Sequence, residues 1–217
     1  MLLFPKLTQL DLTGPFEVMS RIPGAKVHLV ARTRDPVTSD TGMTITPTAT
    51  FDDVPPLDVI FAPGGGGQIA AMEDGATVPF VARAGADAKW VTSVCTGALI
   101  LGAAGLLRGY KAATHWAFME LLPLFGAEPV HERVVTDRNR ITAGGVTAGI
   151  DFGLTIAAAV AGTEVAEAIQ LYIEYDPAPP FQSGHPRVAR PALVERVRAD
   201  LHKRLAERRE QIERLVK

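Results

Sequence analysis

The chain has 217 residues, 22 Lys plus Arg against 24 Asp plus Glu, and 47% hydrophobic residues. That is apolar enough to build the core of one ordinary domain and excludes disorder as the main state. A net charge of -2 lacks the positive excess that binding to a phosphate backbone demands, so no nucleic-acid partner is expected. The single cysteine excludes a disulfide framework and every multi-cysteine metal site.

At the amino end, Met1 to Phe4 are apolar but Pro5 follows at once, too short a run for a secretory signal. The most apolar stretch, 98–107, is too short to span a bilayer. A cytoplasmic protein with no membrane contact is the expectation.

In chain order, apolar runs at 26–31, 57–62, 89–94 and 140–143 read as strands covered on both faces. Helices are expected at 15–20, 68–72, 79–88, 96–104, 115–125 and 148–161, with a strand-like run at 129–134. Strands interleaved with helices predict an α/β sandwich around a mostly parallel sheet, whose ligands sit at the carboxyl ends of the strands. Residues 176–180, Asp-Pro-Ala-Pro-Pro, predict an extended arm. After it, 191–217 carries Leu193, Val194, Val197, Leu201 and Leu205 at helical spacing. The expected organisation is an α/β domain over 1–175, with arm and helix (176–217) belonging to the same unit.

Cys95 falls between the third strand and a helix that starts Thr96-Gly97. An abrupt strand-to-helix turn makes a nucleophile elbow and projects one side chain above the sheet. The helix N-terminus there is expected to lower the thiol pKa by about one unit. The bland alternative is a small buried residue, as most free cysteines are. Gly64 to Gly67 follow the second strand. With the Thr96 N–H, a Gly-rich loop there offers donors for a developing anion, although many strand-to-helix turns are equally Gly-rich. Asp11, between Leu10 and Leu12, reads either as a desolvated proton carrier or as a turn or helix-cap aspartate. His115 allows a Cys–His pair or a structural role, and His131 has no metal-ligand spacing around it. No metal site assembles from the sequence, and no Gly-x-Ser-x-Gly motif is present.

Several stretches together resemble the DJ-1/PfpI superfamily: Pro63-Gly64-Gly65, Ser93-Val94-Cys95-Thr96-Gly97, Ala104-Gly105-Leu106-Leu107 and Ala113-Thr114-His115-Trp116. Three more are similar to its isocyanide hydratase subfamily: 10–15 (Leu-Asp-Leu-Thr-Gly-Pro), 142–151 and 175–181. The resemblance implies a flavodoxin-like α/β sandwich, a homodimer, and Cys95 as nucleophile. Many relatives set a Glu against the thiol and a His directly after it; here Asp11 and Thr96 stand in those places, which agrees with the hydratase subfamily. The chain enters inside the segment matching the family's first strand, so either that strand is short or the native start lies upstream of Met1.

The implied reaction is cofactor-free hydration of an isocyanide to an N-formamide through a cysteine thioimidate. Asp11 serves as acid and then base, Thr96 orients the reacting groups, and the N–H groups of Gly65 and Thr96 stabilise charge. Trp116, Val146 and Thr147 are expected to line the substrate pocket. Alternatives of the same resemblance are a glyoxalase- or deglycase-type enzyme and a thiol redox sensor. It also extends to sensor domains of AraC-type regulators, but too little chain follows Ile173 for their DNA-binding motifs.

Overall fold

The computed structural model describes residues 1–215, with 202–204 described by backbone alone. Ten short strands and seven α-helices alternate among these residues. The strands are β1 (Val30–Ala31), β2 (Val37–Thr38), β3 (Thr44–Ile45), β4 (Ala49–Thr50), β5 (Val59–Ala62), β6 (Trp90–Val94), β7 (Lys111–Ala112), β8 (Glu128–Pro129), β9 (Val134–Asp137) and β10 (Arg140–Ala143). The helices are α1 (Gln9–Met19), α2 (Gln68–Glu73), α3 (Thr77–Asp87), α4 (Gly97–Ala103), α5 (Ala148–Ala161), α6 (Thr163–Tyr172) and α7 (Pro191–Leu215), with a 3-10 helix at Trp116–Phe125.

The central sheet runs β5-β6-β10-β9, with β5, β6 and β10 parallel and β9 antiparallel at the edge. Its interior strands carry buried side chains on successive residues, as in β6 (Val91 to Val94) and β10 (Ile141 to Ala143), because helices cover both faces. β1 pairs in parallel with β4. The expected first strand is reduced to bridges: Leu2 pairs with Val30 and donates to the Phe61 carbonyl at 2.9 Å, so it links β1 to β5. Leu2, Leu3, Phe4 and Leu7 are buried all the same.

Three elements differ from expectation, and one helix is additional. The strand over 26–31 forms ladder pairs only at Val30–Ala31, since Leu29 spends its N–H on the Thr48 hydroxyl instead. The helix expected at 15–20 begins at Gln9, so Pro15 lies inside α1 rather than at its start. The proline ring sits against Gly149 of α5, where an added Cβ would come within 2.8 Å of Pro15 Cδ; tight packing of the two helices outweighs the backbone bond that proline forfeits. The strand-like run at 129–134 splits into β8 and β9 around a bend that leaves His131 exposed. Finally, α6 went unpredicted: its residues Thr163–Tyr172 bury only Ala166 and Ile169, so the apolar stripe is thin.

Residues 176–180 carry no regular secondary structure, and α7 starts at Pro191 after a run of turns and bends. Val216 and Lys217, the end of the expected helix, lie outside the described residues. α7 returns to the domain: Ile212 is fully buried in the main core, and Arg209 pairs with Glu120 of the 3-10 helix at 2.9 Å. No described helix is long and apolar enough to cross a membrane.

Candidate active site

The turn from β6 into α4 is as sharp as the sequence predicts. Cys95 has φ 56°, a left-handed conformation uncommon for a residue with a side chain. Three hydrogen bonds hold it there. Its N–H donates to Gly144 O at 2.8 Å and Ala143 O at 3.1 Å, and its carbonyl accepts from the Thr114 hydroxyl at 2.7 Å. Backbone strain maintained by surrounding bonds is characteristic of functional positions. Gly97 allows the turn to seat on β5, since a Cβ at that position would lie 2.0 Å from the Ala62 carbonyl oxygen.

The glycine loop does something other than expected. Leu7 forms an antiparallel bridge with Gly65, and Thr8 N–H donates to Gly64 O at 3.0 Å. A Cβ at Gly65, with φ 137°, would meet Thr8 N at 2.4 Å. The loop therefore clasps the segment that launches α1, which delivers Asp11 to the elbow. Asp11 is fully buried, and its Oδ2 accepts from Gly64 N–H at 3.1 Å across 53 residues of sequence. Its Oδ1 has no partner of ordinary hydrogen-bond geometry. The cap-or-turn reading of Asp11 is thus set aside, because the carboxyl faces across the molecule instead of capping its own helix.

Asp11 and Cys95 influence one another directly. Burial pushes the Asp11 pKa from 3.8 up to about 7, against the opposing pull of contacts with Cys95 and Gly64 N–H, and the charge of Asp40 adds to the rise. Burial also pushes the Cys95 thiol well above its ordinary value, and the Asp11 charge adds to the push. The Thr96 N–H and the Arg208 cation pull it down by less. The expected fall in thiol pKa is corrected on this point: the helix N-terminus acts in the expected direction, but desolvation is larger. The resting group near neutral pH is a thiol 6% exposed, beside a carboxyl poised between its two forms.

The roles of the neighbouring donors shift as well. Gly65 N–H, expected to face a developing anion, donates to Thr96 Oγ1 at 3.1 Å, so Gly65 positions Thr96. Thr96 is buried, with its N–H directed to the Cys95 sulfur. His115 makes no pair with Cys95. It caps the 3-10 helix, with Nδ1 accepting from Ala117 N–H at 3.3 Å, and burial together with Arg208 lowers its pKa to about 4.

Trp116, Val146 and Thr147 do come together. They line a cleft of about 400 Å³ with Thr114, Gly144 and His185. Thr114 and Gly144 also hold the Cys95 backbone, so the cleft floor adjoins the elbow. A larger cavity of about 700 Å³ lies at the opposite, amino end of β5 and β6, around Val59 and Trp90, away from the thiol. No group of three or more His, Cys, Asp or Glu among the described residues is arranged to hold a metal ion.

This geometry agrees with the comparisons to known proteins. The model of the family described as "DJ-1/PfpI family" matches residues 1–159. The chain belongs to the DJ-1/PfpI family. An isonitrile hydratase from Pseudomonas putida is 54% identical over 197 residues, which cover 91% of this chain and 86% of that protein. A solved ThiJ/PfpI family protein from Pseudomonas syringae superposes with a TM-score of 0.92 at 49% identity, over 100% of this chain and 88% of its own. The HTH-type transcriptional regulator GbdR from Pseudomonas aeruginosa is 29% identical over 75% of this chain but only 45% of its own length. The α/β sandwich of this DJ-1/PfpI member is therefore shared along the whole chain with a solved relative.

One site residue was missed from the sequence. Arg208 of α7 is 8% exposed and stands among the groups acting on both Cys95 and His115. The signal was present, because Leu205, Arg208 and Ile212 share one helix face at i, i+3, i+7 spacing. An arginine on an apolar stripe invites the question of what it faces.

Proposed function

We propose that this chain is an isocyanide hydratase, converting R–NC and water to R–NH–CHO, with Cys95 as nucleophile and Asp11 as the proton carrier. The reading is supported by the likeness to the Pseudomonas putida isonitrile hydratase. The observation that carries it is the buried Asp11 carboxyl against the Cys95 thiol, with a pKa of about 7.

An isocyanide carbon accepts a nucleophile and a proton on the same atom, and the pair supplies both. Asp11 carboxylate takes the thiol proton and passes it to that carbon as sulfur bonds there, giving Cys95–S–CH=N–R with no net change in protons. A carboxyl with a pKa near the working pH serves each direction of that transfer. Water then adds to the thioimidate carbon, with Asp11 accepting one water proton and passing it to the nitrogen, so that the carboxylate is restored. The tetrahedral species expels sulfur, the hydroxyl proton returns to the pair, and the formamide leaves. Thr96 N–H, aimed at the sulfur, favours the departing thiolate. The reaction calls on no cofactor.

The buried sulfur also suits this substrate. An isocyanide ends in a slender two-atom rod that reaches a recessed atom, while R occupies the cleft at Trp116, Val146 and Thr147. A peroxide sensor is disfavoured, since such cysteines combine exposure with a low pKa. The protein works in the cytoplasm as a homodimer, a state that light scattering on the purified chain checks.

The test is incubation of the wild type with cyclohexyl isocyanide, with formamide read by proton NMR. Formamide from the wild type and none from Cys95→Ala is the expected result. Turnover of methylglyoxal with no isocyanide consumption transfers the site to a deglycase-type reaction.

A further inference from the structure

We propose that Arg208 is a positioning residue of the active site: from the C-terminal helix it holds the glycine loop and keeps a fixed cation within reach of Cys95. The proposal rests on Cys95 being the reactive group, and not on which substrate it attacks.

The geometry is a relay of short contacts. Arg208 donates from Nη2 to the Gly65 carbonyl at 3.3 Å, and the Thr96 hydroxyl approaches that same oxygen at 3.4 Å. Gly65 N–H in turn donates to Thr96 Oγ1, and the preceding residue, Gly64, holds Asp11. One carbonyl thus joins α7 to the Thr96 side chain, and the residue before it in the loop holds Asp11. The guanidinium is fixed from another direction by Phe118, whose ring centroid lies 4.2 Å from Cζ. A planar cation that stacks and donates at once is work for arginine more than lysine. α7 is pinned around it by the buried Ile212 and by Arg209 on Glu120.

This helix lies beyond residues 1–159, where the family match ends, so the arrangement is carried by a part of the chain that the family model does not reach. The groups that act on the thiol are Asp11 from α1, the Thr96 N–H at the head of α4 and Arg208 from α7. Asp40, in the loop between β2 and β3, acts on Asp11, and His115 is itself held neutral beside Arg208. Of the side chains acting on Cys95, Asp11 raises its pKa and Arg208 lowers it. Loss of the cation therefore leaves burial and Asp11 less opposed, and the thiolate becomes harder to form.

The experiment is the pH dependence of Cys95 alkylation by iodoacetamide, which follows the thiolate and needs no isocyanide. Arg208→Gln is expected to move the profile up by about half a unit to one unit, so that alkylation at a fixed pH below the midpoint slows roughly three- to tenfold. Arg208→Lys keeps the charge and is expected to restore most of the midpoint. Glu120→Gln loosens the same helix at the surface and is expected to leave the profile in place. If Arg208→Gln fails to fold, Phe118→Leu removes the stacking face and is expected to give a smaller shift in the same direction. A profile unmoved in Arg208→Gln, or moved equally in Arg208→Gln and Arg208→Lys, overturns the proposal. Formamide production by the wild type tests the reaction separately, so the two ideas fail independently.

Discussion

Replacing Asp11 by Asn separates what this residue costs the fold from what it gives the chemistry. The folded protein raises the Asp11 pKa from 3.8 to about 7, mainly through desolvation. The native state therefore keeps the proton longer than the unfolded chain does. Native stability falls as pH rises from about 4 to about 7 and levels off above that. Three units at about 1.4 kcal/mol each give an upper figure of about 4 kcal/mol. Asn keeps an oxygen for the Gly64 N–H and has no charge to desolvate. The difference in Tm between variant and wild type should thus grow between pH 4 and pH 8 in favour of Asn, by on the order of 10 °C. Subtraction of the two curves cancels every group that titrates alike in both proteins. Turnover of isocyanide should fall 10²- to 10⁴-fold, roughly the worth of a positioned proton carrier. Cys95 should nonetheless alkylate faster in the variant at pH 8, because Asp11 raises the thiol pKa. Parallel Tm curves for the two proteins across that range would refute the reasoning.

Two further substitutions test the frame of the site. Thr96→Val leaves the buried Gly65 N–H without its acceptor, which should cost about 1–3 kcal/mol and appear as a Tm several degrees lower, with reduced turnover and an unchanged far-UV circular dichroism spectrum. Gly97→Ala drives a methyl to 2.0 Å from the Ala62 carbonyl oxygen. The elbow cannot close around it, so loss of more than about 3 kcal/mol in urea titration, or failure to accumulate as folded protein, is expected.

The parts of this fold that could be read from sequence were those where local chemistry and tertiary demand agree. Continuous apolar runs at Val59–Ala62, Trp90–Val94 and Arg140–Ala143 are strands because the sheet buries both faces. The Cys-Thr-Gly junction is an elbow because only Gly97 admits the Ala62 carbonyl. Where the two levels part, tertiary packing overrides the local pattern. Pro15 resembles a helix start, yet packing on Gly149 keeps it inside α1. The glycine loop reads as an anion cradle for substrate, yet Gly65 and Gly67 crowd Pro5, Leu7 and Thr8, and Gly64 crowds Thr96 and the Asp11 carboxylate. The direction of the Cys95 pKa depended on how completely the fold covers it, which strand-to-helix context does not encode. Arg208 is marked by its place on the apolar face of α7, but what it faces is not legible, because its partners, Gly65 and Phe118, lie far away along the chain.

The central claim is that Cys95 bonds to the isocyanide carbon before water does. Its most direct test is intact-protein mass spectrometry, with peptide mapping, on wild type quenched in acid within milliseconds of mixing with an isocyanide. The account predicts a transient gain equal to the full mass of the isocyanide, located on Cys95 and absent from Cys95→Ala. Formamide formed at an undiminished rate by Cys95→Ala, with no adduct on the wild type at any time, would contradict it.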